Sequence, residues 1–137
     1  MNHTFQLTIL SANRTFFSGR CTSLVVPAYN GEKEILANHE NMVIAVNEGE
    51  IRIRPENETA WTYAVIGEGF VQIANNRVTL LVETAERPEE INIARARKAK
   101  ERAEEEMRQK QSIQEYYSSR ASLARAMSRL RLAEKHK

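Results

Sequence analysis

An all-β N-terminal sandwich or barrel followed by an α-helical hairpin is the fold class this sequence predicts. Three observations carry it. All five glycines (19, 31, 49, 67 and 69) precede Pro88, and neither Gly nor Pro occurs in the 49 residues that follow. β-branched residues are frequent before Pro88, while Ile91, Ile93 and Ile113 are the only Val, Ile or Thr after it. Charge divides at the same place: residues 1–86 carry a net −4 and residues 87–137 a net +6, with no Asp anywhere. Strand formers give way to helix formers, so two units are expected, 1–86 and 87–137.

The first unit reads as short strands with period-two alternation. Phe5, Leu7 and Ile9 alternate with Thr4, Gln6 and Thr8. Thr15 to Phe17, Thr22 to Val26 and Met42 to Val46 are further candidates. Ile51 and Ile53 alternate with Glu50, Arg52 and Arg54, as Trp61, Tyr63 and Val65 do with their neighbours. Phe70 to Ile73 and Val78 to Val82 complete the set. Turn formers separate them: Ser11-Ala12-Asn13, Tyr29-Asn30-Gly31, Asn47-Glu48-Gly49, Pro55-Glu56-Asn57 and Asn75-Asn76. The last suits a tight hairpin, because Asn tolerates positive φ.

The second unit reads as helix. Pro88 suits a first turn, and Glu89 and Glu90 suit the positive end of the helix dipole. One stripe runs Ala96, Ala99, Ala103, Met107; another runs Ile113, Tyr116, Tyr117, Leu123, Ala124, Met127, Leu130. The reversal falls between them, at Gln109 to Ser112. That stretch has no Gly or Pro, so one long helix is as open to this sequence as a hairpin.

Composition narrows the function. With 42% hydrophobic residues in 137, a packed core is expected. The single cysteine, Cys21, excludes an internal disulfide and fits a reducing compartment. Residues 1–15 lack the basic start and apolar run of a secretion signal. His3, His39 and His136 share no metal-ligand spacing with Cys21 or one another, so no metal site is expected. No nucleophile elbow, phosphate loop or dinucleotide fingerprint is present, so no catalytic residue is assigned. Gly67-Glu68-Gly69 reads as a turn or bulge.

The arginines of the second unit remain. Arg95 and Arg102 stand two turns apart on one helix, and Arg125 and Arg129 one turn apart on the next. In a hairpin the two pairs could meet on a phosphate chain. The plainer alternative is a solvated basic face paired with Glu101, Glu104, Glu105 and Glu106. The +6 charge also fits a nucleic-acid-binding arm, which the acidic first unit opposes.

The run from Gly69 to Glu86 resembles the end of the β-domain of the ε subunit of F-type (rotary) ATP synthases. Ile35-Leu36-Ala37-Asn38-His39 is similar to that family's Ile-Leu-Pro-Gly-His segment. Ile91-Asn92-Ile93-Ala94-Arg95-Ala96 is similar to its Ile-Asp-x-x-Arg-Ala nucleotide motif, with Asn92 in place of the acid. Arg125-Ala126-Met127-Ser128-Arg129-Leu130 is similar to the end of its second helix. The resemblance implies a non-catalytic central-stalk subunit at the cytoplasmic face of the membrane, attached only through the complex. The β-domain would bind the γ subunit and the c-ring, coupling ion flow to ATP synthesis elsewhere. The extended helices would reach the α and β subunits and inhibit hydrolysis through Arg125, Arg129 and Arg131. No nucleic-acid partner and no required cofactor are implied. ATP as a regulatory ligand would meet Glu86, Ile91, Asn92, Arg95, Arg102, Arg125 and Arg129. Asn92 lacks the charge of the family's acid, which implies weak binding.

Overall fold

The computed structural model describes residues 3–108 and 113–136, and the side chains of all of these except 113–117. Nine strands come first: β1 (Phe5–Ser11), β2 (Arg14–Ala28), β3 (Gly31–Leu36), β4 (Met42–Val46), β5 (Gly49–Pro55), β6 (Thr62–Ile66), β7 (Gly69–Ala74), β8 (Arg77–Val82) and β9 (Ala85–Glu86). A 3-10 turn (Pro88–Glu90) leads to α1 (Ile93–Arg108) and α2 (Ile113–Lys135).

The strands form a sandwich whose two walls share β2. The first half of β2 pairs with β1, from Arg14 to Cys21, and its second half pairs with β3 and β5. From β1 the first wall continues through β8 and β7 to β4; from β5 the second continues through β6 to β9. The β1–β8 pairing is parallel. Alternation along each strand sends Phe5, Leu7, Ile9, Leu24, Val26, Ile51, Ile53, Val71, Ile73 and Leu80 into one core. The Asn75-Asn76 turn joins β7 to β8 with φ of 51° and 64°, the left-handed pair that a two-residue hairpin needs. Gly69 is required by crowding: a Cβ there would overlap the Leu81 carbonyl of β8.

Two strand readings change. Thr15–Phe17 and Thr22–Val26 belong to one strand, because β2 bends at an irregularity between Cys21 and Ser23 and continues into the other wall. β3 lies where no strand was expected. Its sequence Gly-Glu-Lys-Glu-Ile-Leu is half charged, since it pairs only with β2 and buries only Ile35 fully.

The helical unit starts later than Pro88 suggests. Glu90 Oε1 accepts from the Arg87 N–H at 3.0 Å, and Arg14 Nη2 donates to Glu90 Oε2 at 2.7 Å. This holds residues 87–90 as a tight turn against the β1–β2 hairpin. Asn92 then caps α1, its Oδ1 accepting from the Arg95 N–H at 3.1 Å. The two helices run antiparallel: Arg97 at the start of α1 pairs with Glu134 at the end of α2, and Ser119 near the start of α2 donates to Glu106 near the end of α1. The expected reversal at Gln109 to Ser112 lies outside the described residues.

β6 explains where the hairpin docks. Ala64 and Ile66 face the sandwich core, whereas Val65 faces outward. Val65 joins Ile91, Ala96, Leu130, Leu132 and Ala133 in a second, smaller cluster, flanked by Tyr63 and Ile93. Around it, His136 stacks on Tyr63 with ring centroids 4.1 Å apart, and Lys135 Nζ lies 3.4 Å from Glu50.

Candidate regulatory cleft between the helices and the sandwich

Two stretches of helix repeat one spacing. Ala99, Arg102, Ala103 and Glu106 stand at i, i+3, i+4 and i+7 on α1; Ser122, Arg125, Ala126 and Arg129 do so on α2. That spacing puts each set on one helical face. The antiparallel packing turns the two faces toward each other. Alanine occupies the closest positions, so the helices approach there, and the longer side chains stand around the gap.

These eight residues, with Thr84 and Glu86 from the edge of the sandwich, line a cleft of about 360 Å³. Ala103 and Ala126 form its buried floor. Glu86 reaches it because β9 pairs with β6, with Glu86 opposite Val65. Arg14 steadies that edge by donating to the Ala85 carbonyl at 3.0 Å.

The electrostatics are mixed. Arg129 Nη2 donates to Glu86 Oε2 at 3.0 Å, and its Nε lies 2.8 Å from Oε1, off line for a good hydrogen bond. Both side chains are about one-quarter exposed, at 27% and 26%, which screens the pair less than a surface salt bridge. Arg125 Nη2 donates to Ser122 Oγ at 3.2 Å. Glu106 is occupied by Ser119 Oγ at 3.0 Å. Arg102 makes no ion pair among the described residues. Three guanidinium groups thus face two carboxylates, leaving one positive charge and several directed N–H donors.

Of the residues assigned from the sequence, Glu86, Arg102, Arg125 and Arg129 come together here. The other three do not line the cleft. Ile91 is only 2% exposed within the Val65 cluster. Asn92 is the helix cap. Arg95 is exposed, one turn before the lining begins. Arg131 sits in the opposite groove of the hairpin, with Arg97, Lys100, Glu101, Glu104 and Glu134. Thr84, Ala99, Ala103, Glu106, Ser122 and Ala126 were not singled out as lining, although the shared spacing marks all but Thr84.

Family models match almost the whole chain. The ATP synthase delta/epsilon chain beta-sandwich domain matches residues 4–88, and the long alpha-helix domain of the same chain matches residues 89–134. The ATP synthase epsilon chain of Ruminiclostridium cellulolyticum is 45% identical over 127 residues, 93% of each chain. That of Caldanaerobacter subterraneus is 40% identical over 137 residues, covering 99% of this chain and 98% of the other. Among solved structures, a chain of the Euglena gracilis mitochondrial ATP synthase (OSCP/F1/c-ring) superposes with a TM-score of 0.81. It covers 99% of this chain and 84% of its own length at 20% identity, a likeness of fold.

Proposed function

Because this chain belongs to the ATP synthase delta/epsilon family, we propose that its sandwich anchors it in the central stalk and its helical hairpin regulates ATP hydrolysis. It is a non-catalytic subunit of the rotary complex and a peripheral part of the membrane assembly. Its partners are the γ subunit and the c-ring, and it works at the cytoplasmic face. Residues 1–86 form the anchoring unit and 87–137 the regulatory one.

One observation carries the regulatory reading. The hairpin is held to the sandwich by a small apolar seal and a few ion pairs, with an arginine-lined cleft at the joint. A ligand there would touch both helices and the sandwich edge at once, and so would favour the docked form over any extended one. ATP is that ligand in this reading, with Arg102, Arg125 and Arg129 on its phosphates. Released, α2 would present Arg125, Arg129 and Arg131 to acidic segments of the α and β subunits.

For anchoring, the outer face of the first wall offers an apolar row. Leu10 pairs with Leu81, Leu81 with Phe70, and Phe70 with Ala45, across four adjacent strands. Phe70 is 43% exposed. A contiguous row of this kind suits a protein partner better than solvent, and γ is the partner assigned to it.

Deleting residues 88–137 should leave γ binding intact and raise ATP hydrolysis by the reassembled complex. Unchanged hydrolysis would remove the regulatory role, and failure of the truncated chain to bind γ would remove the division of labour.

A further inference from the structure

We propose that Asn30, at the tip of the hairpin between β2 and β3, is a site of spontaneous deamidation. The reaction converts this turn to an aspartyl or isoaspartyl linkage and loosens β3.

The sequence supplies the first reason. Of the ten asparagines, only Asn30 is followed by glycine. Deamidation begins when the next residue's backbone nitrogen attacks the asparagine side-chain carbonyl carbon. A Cβ on that next residue crowds the approach, and Gly31 has none.

The surroundings supply the second. Asn30 and Gly31 are both exposed. No atom lies within 4 Å of where a Gly31 Cβ would stand, so a five-membered ring can close without meeting a neighbour. Other side-chain amides are held in place. Asn76 donates through Nδ2 to the Thr4 carbonyl at 2.9 Å, and its Oδ1 accepts from the Asn38 N–H at 2.7 Å. Asn41 accepts from the Asn75 N–H at 2.9 Å. Asn47 and Asn57 each precede a glutamate, whose Cβ crowds the attack.

The third reason is that the turn can open. Gly31 pairs with Ala28 as the last rung of the β2–β3 ladder, and that rung must part for the nitrogen to reach Asn30. β3 pairs with β2 alone and buries only Ile35 fully. The end of such a hairpin opens far more readily than strands of the core. The Gly31 φ of 118° explains why glycine stands here, so the geometry of the turn and its lability have one source.

The chemistry needs only water. The Gly31 nitrogen bonds to Asn30 Cγ and yields its proton to hydroxide or water; the bond from Cγ to Nδ2 breaks, and ammonia leaves. Water then opens the cyclic imide. Opening at the side-chain carbonyl gives Asp, and opening at the main-chain carbonyl gives isoaspartate. Either product adds one negative charge two residues from Glu32, whose carboxylate pairs with Arg52 at 2.9 Å. Isoaspartate also puts a methylene into the main chain of a two-residue connection, which breaks the Ala28–Gly31 rung.

The full chain, incubated at neutral and at mildly alkaline pH and followed by peptide mass mapping, tests this. The peptide holding Asn30 should gain one dalton before any other asparagine peptide does, and faster at the higher pH. Asn30→Ser should abolish that gain. In the isoaspartyl fraction, separated by chromatography, β3 should lose amide-exchange protection by about tenfold, which is what one lost rung amounts to. β1, β7 and β8 should keep theirs. Conversion of Asn47 or Asn57 as fast as Asn30 would overturn the selectivity. Asn30 intact in the folded chain, while it converts in the same chain unfolded in urea, would overturn the site. Unchanged protection of β3 in the isoaspartyl fraction would overturn the loosening.

Discussion

Leu132→Ala should release the hairpin without unfolding the sandwich. Leu132 is 0% exposed and packs in the Val65 cluster, apart from the sandwich core. The substitution removes three carbons, about 0.8 kcal/mol each. The cavity left behind adds to that, within the ~2–5 kcal/mol range for buried Leu→Ala changes. A loss of about 3 kcal/mol is roughly two decades in the docking equilibrium. The remaining docking contacts are the rest of that small cluster, the Tyr63–His136 stack and ion pairs worth about 1 kcal/mol each or less, and they do not replace it. Amide hydrogen exchange followed by mass spectrometry reads this directly. Peptides of α1, α2 and β6 should lose protection about a hundredfold, while β1, β7 and β8 keep theirs. Met127→Ala, at an exposed position on the same helix, should change little. Unchanged protection in the helices would refute the seal. Equal loss in β1 and β8 would show that sandwich and hairpin unfold as one unit.

Asn92→Ala should destabilise the start of α1 by about 1 kcal/mol through loss of the cap, while Asn92→Asp, an equally good cap, should be close to neutral; exchange rates of the Arg95 and Ala96 amides distinguish them. Burial pushes the Glu90 carboxyl up, but the Arg87 N–H and the hydrogen bond and charge of Arg14 outweigh it and hold it below its ordinary value. That contribution is present above the unfolded-state carboxyl range and is lost as pH falls through the lowered folded value. Thermal unfolding followed from neutral to acid pH should therefore show a shallower acid limb in Glu90→Gln than in the natural chain. Burial, and then the charge of Glu58, push the Cys21 thiol up to about 12. Folded protein should resist iodoacetamide at neutral to mildly alkaline pH, and stability should fall as pH rises from the ordinary thiol value toward the raised one. Mass spectrometry detects any adduct.

Strands whose alternation sets an apolar face against a polar one, such as Phe5 to Ile9 and Glu50 to Arg54, were legible because one face meets the core. β3 was not, because a strand paired on one side with mostly exposed side chains carries no apolar signal. The split at Pro88 was legible in composition, but the late start of α1 was not. It depends on Ile91 taking an extended backbone as it buries against Val65, far away in sequence. The same limit applies to the cleft. Its arginines were legible from helical spacing. Glu86 as the Arg129 partner follows from β9 pairing with β6, a register that no local pattern encodes. Asn92 was assigned to a ligand by likeness to a motif; its second role, capping α1, follows from its place just before the helix.

The alanine stripe links the weakness of the docking to the presence of the cleft. Had the half-buried Ala99 been a leucine, its added methylenes would fill part of the gap and strengthen helix packing by about 1–2 kcal/mol. They would also remove the space in which Arg102, Arg125 and Arg129 face a ligand. With alanines the helices approach closely on a small area, and the apolar seal is confined to the Ile91, Leu130 and Leu132 end. A hairpin held at one end and open beside an arginine cluster is one whose docking a multiply charged ligand shifts by as much as it prefers the docked form, and a shallow baseline turns that shift into a change of population. Ala99→Leu therefore separates the two roles. It should stabilise the docked hairpin, seen as slower exchange in α1 and α2, while weakening ATP binding by filling part of the cleft. Tighter docking with ligand affinity unchanged would place the ligand somewhere other than the cleft.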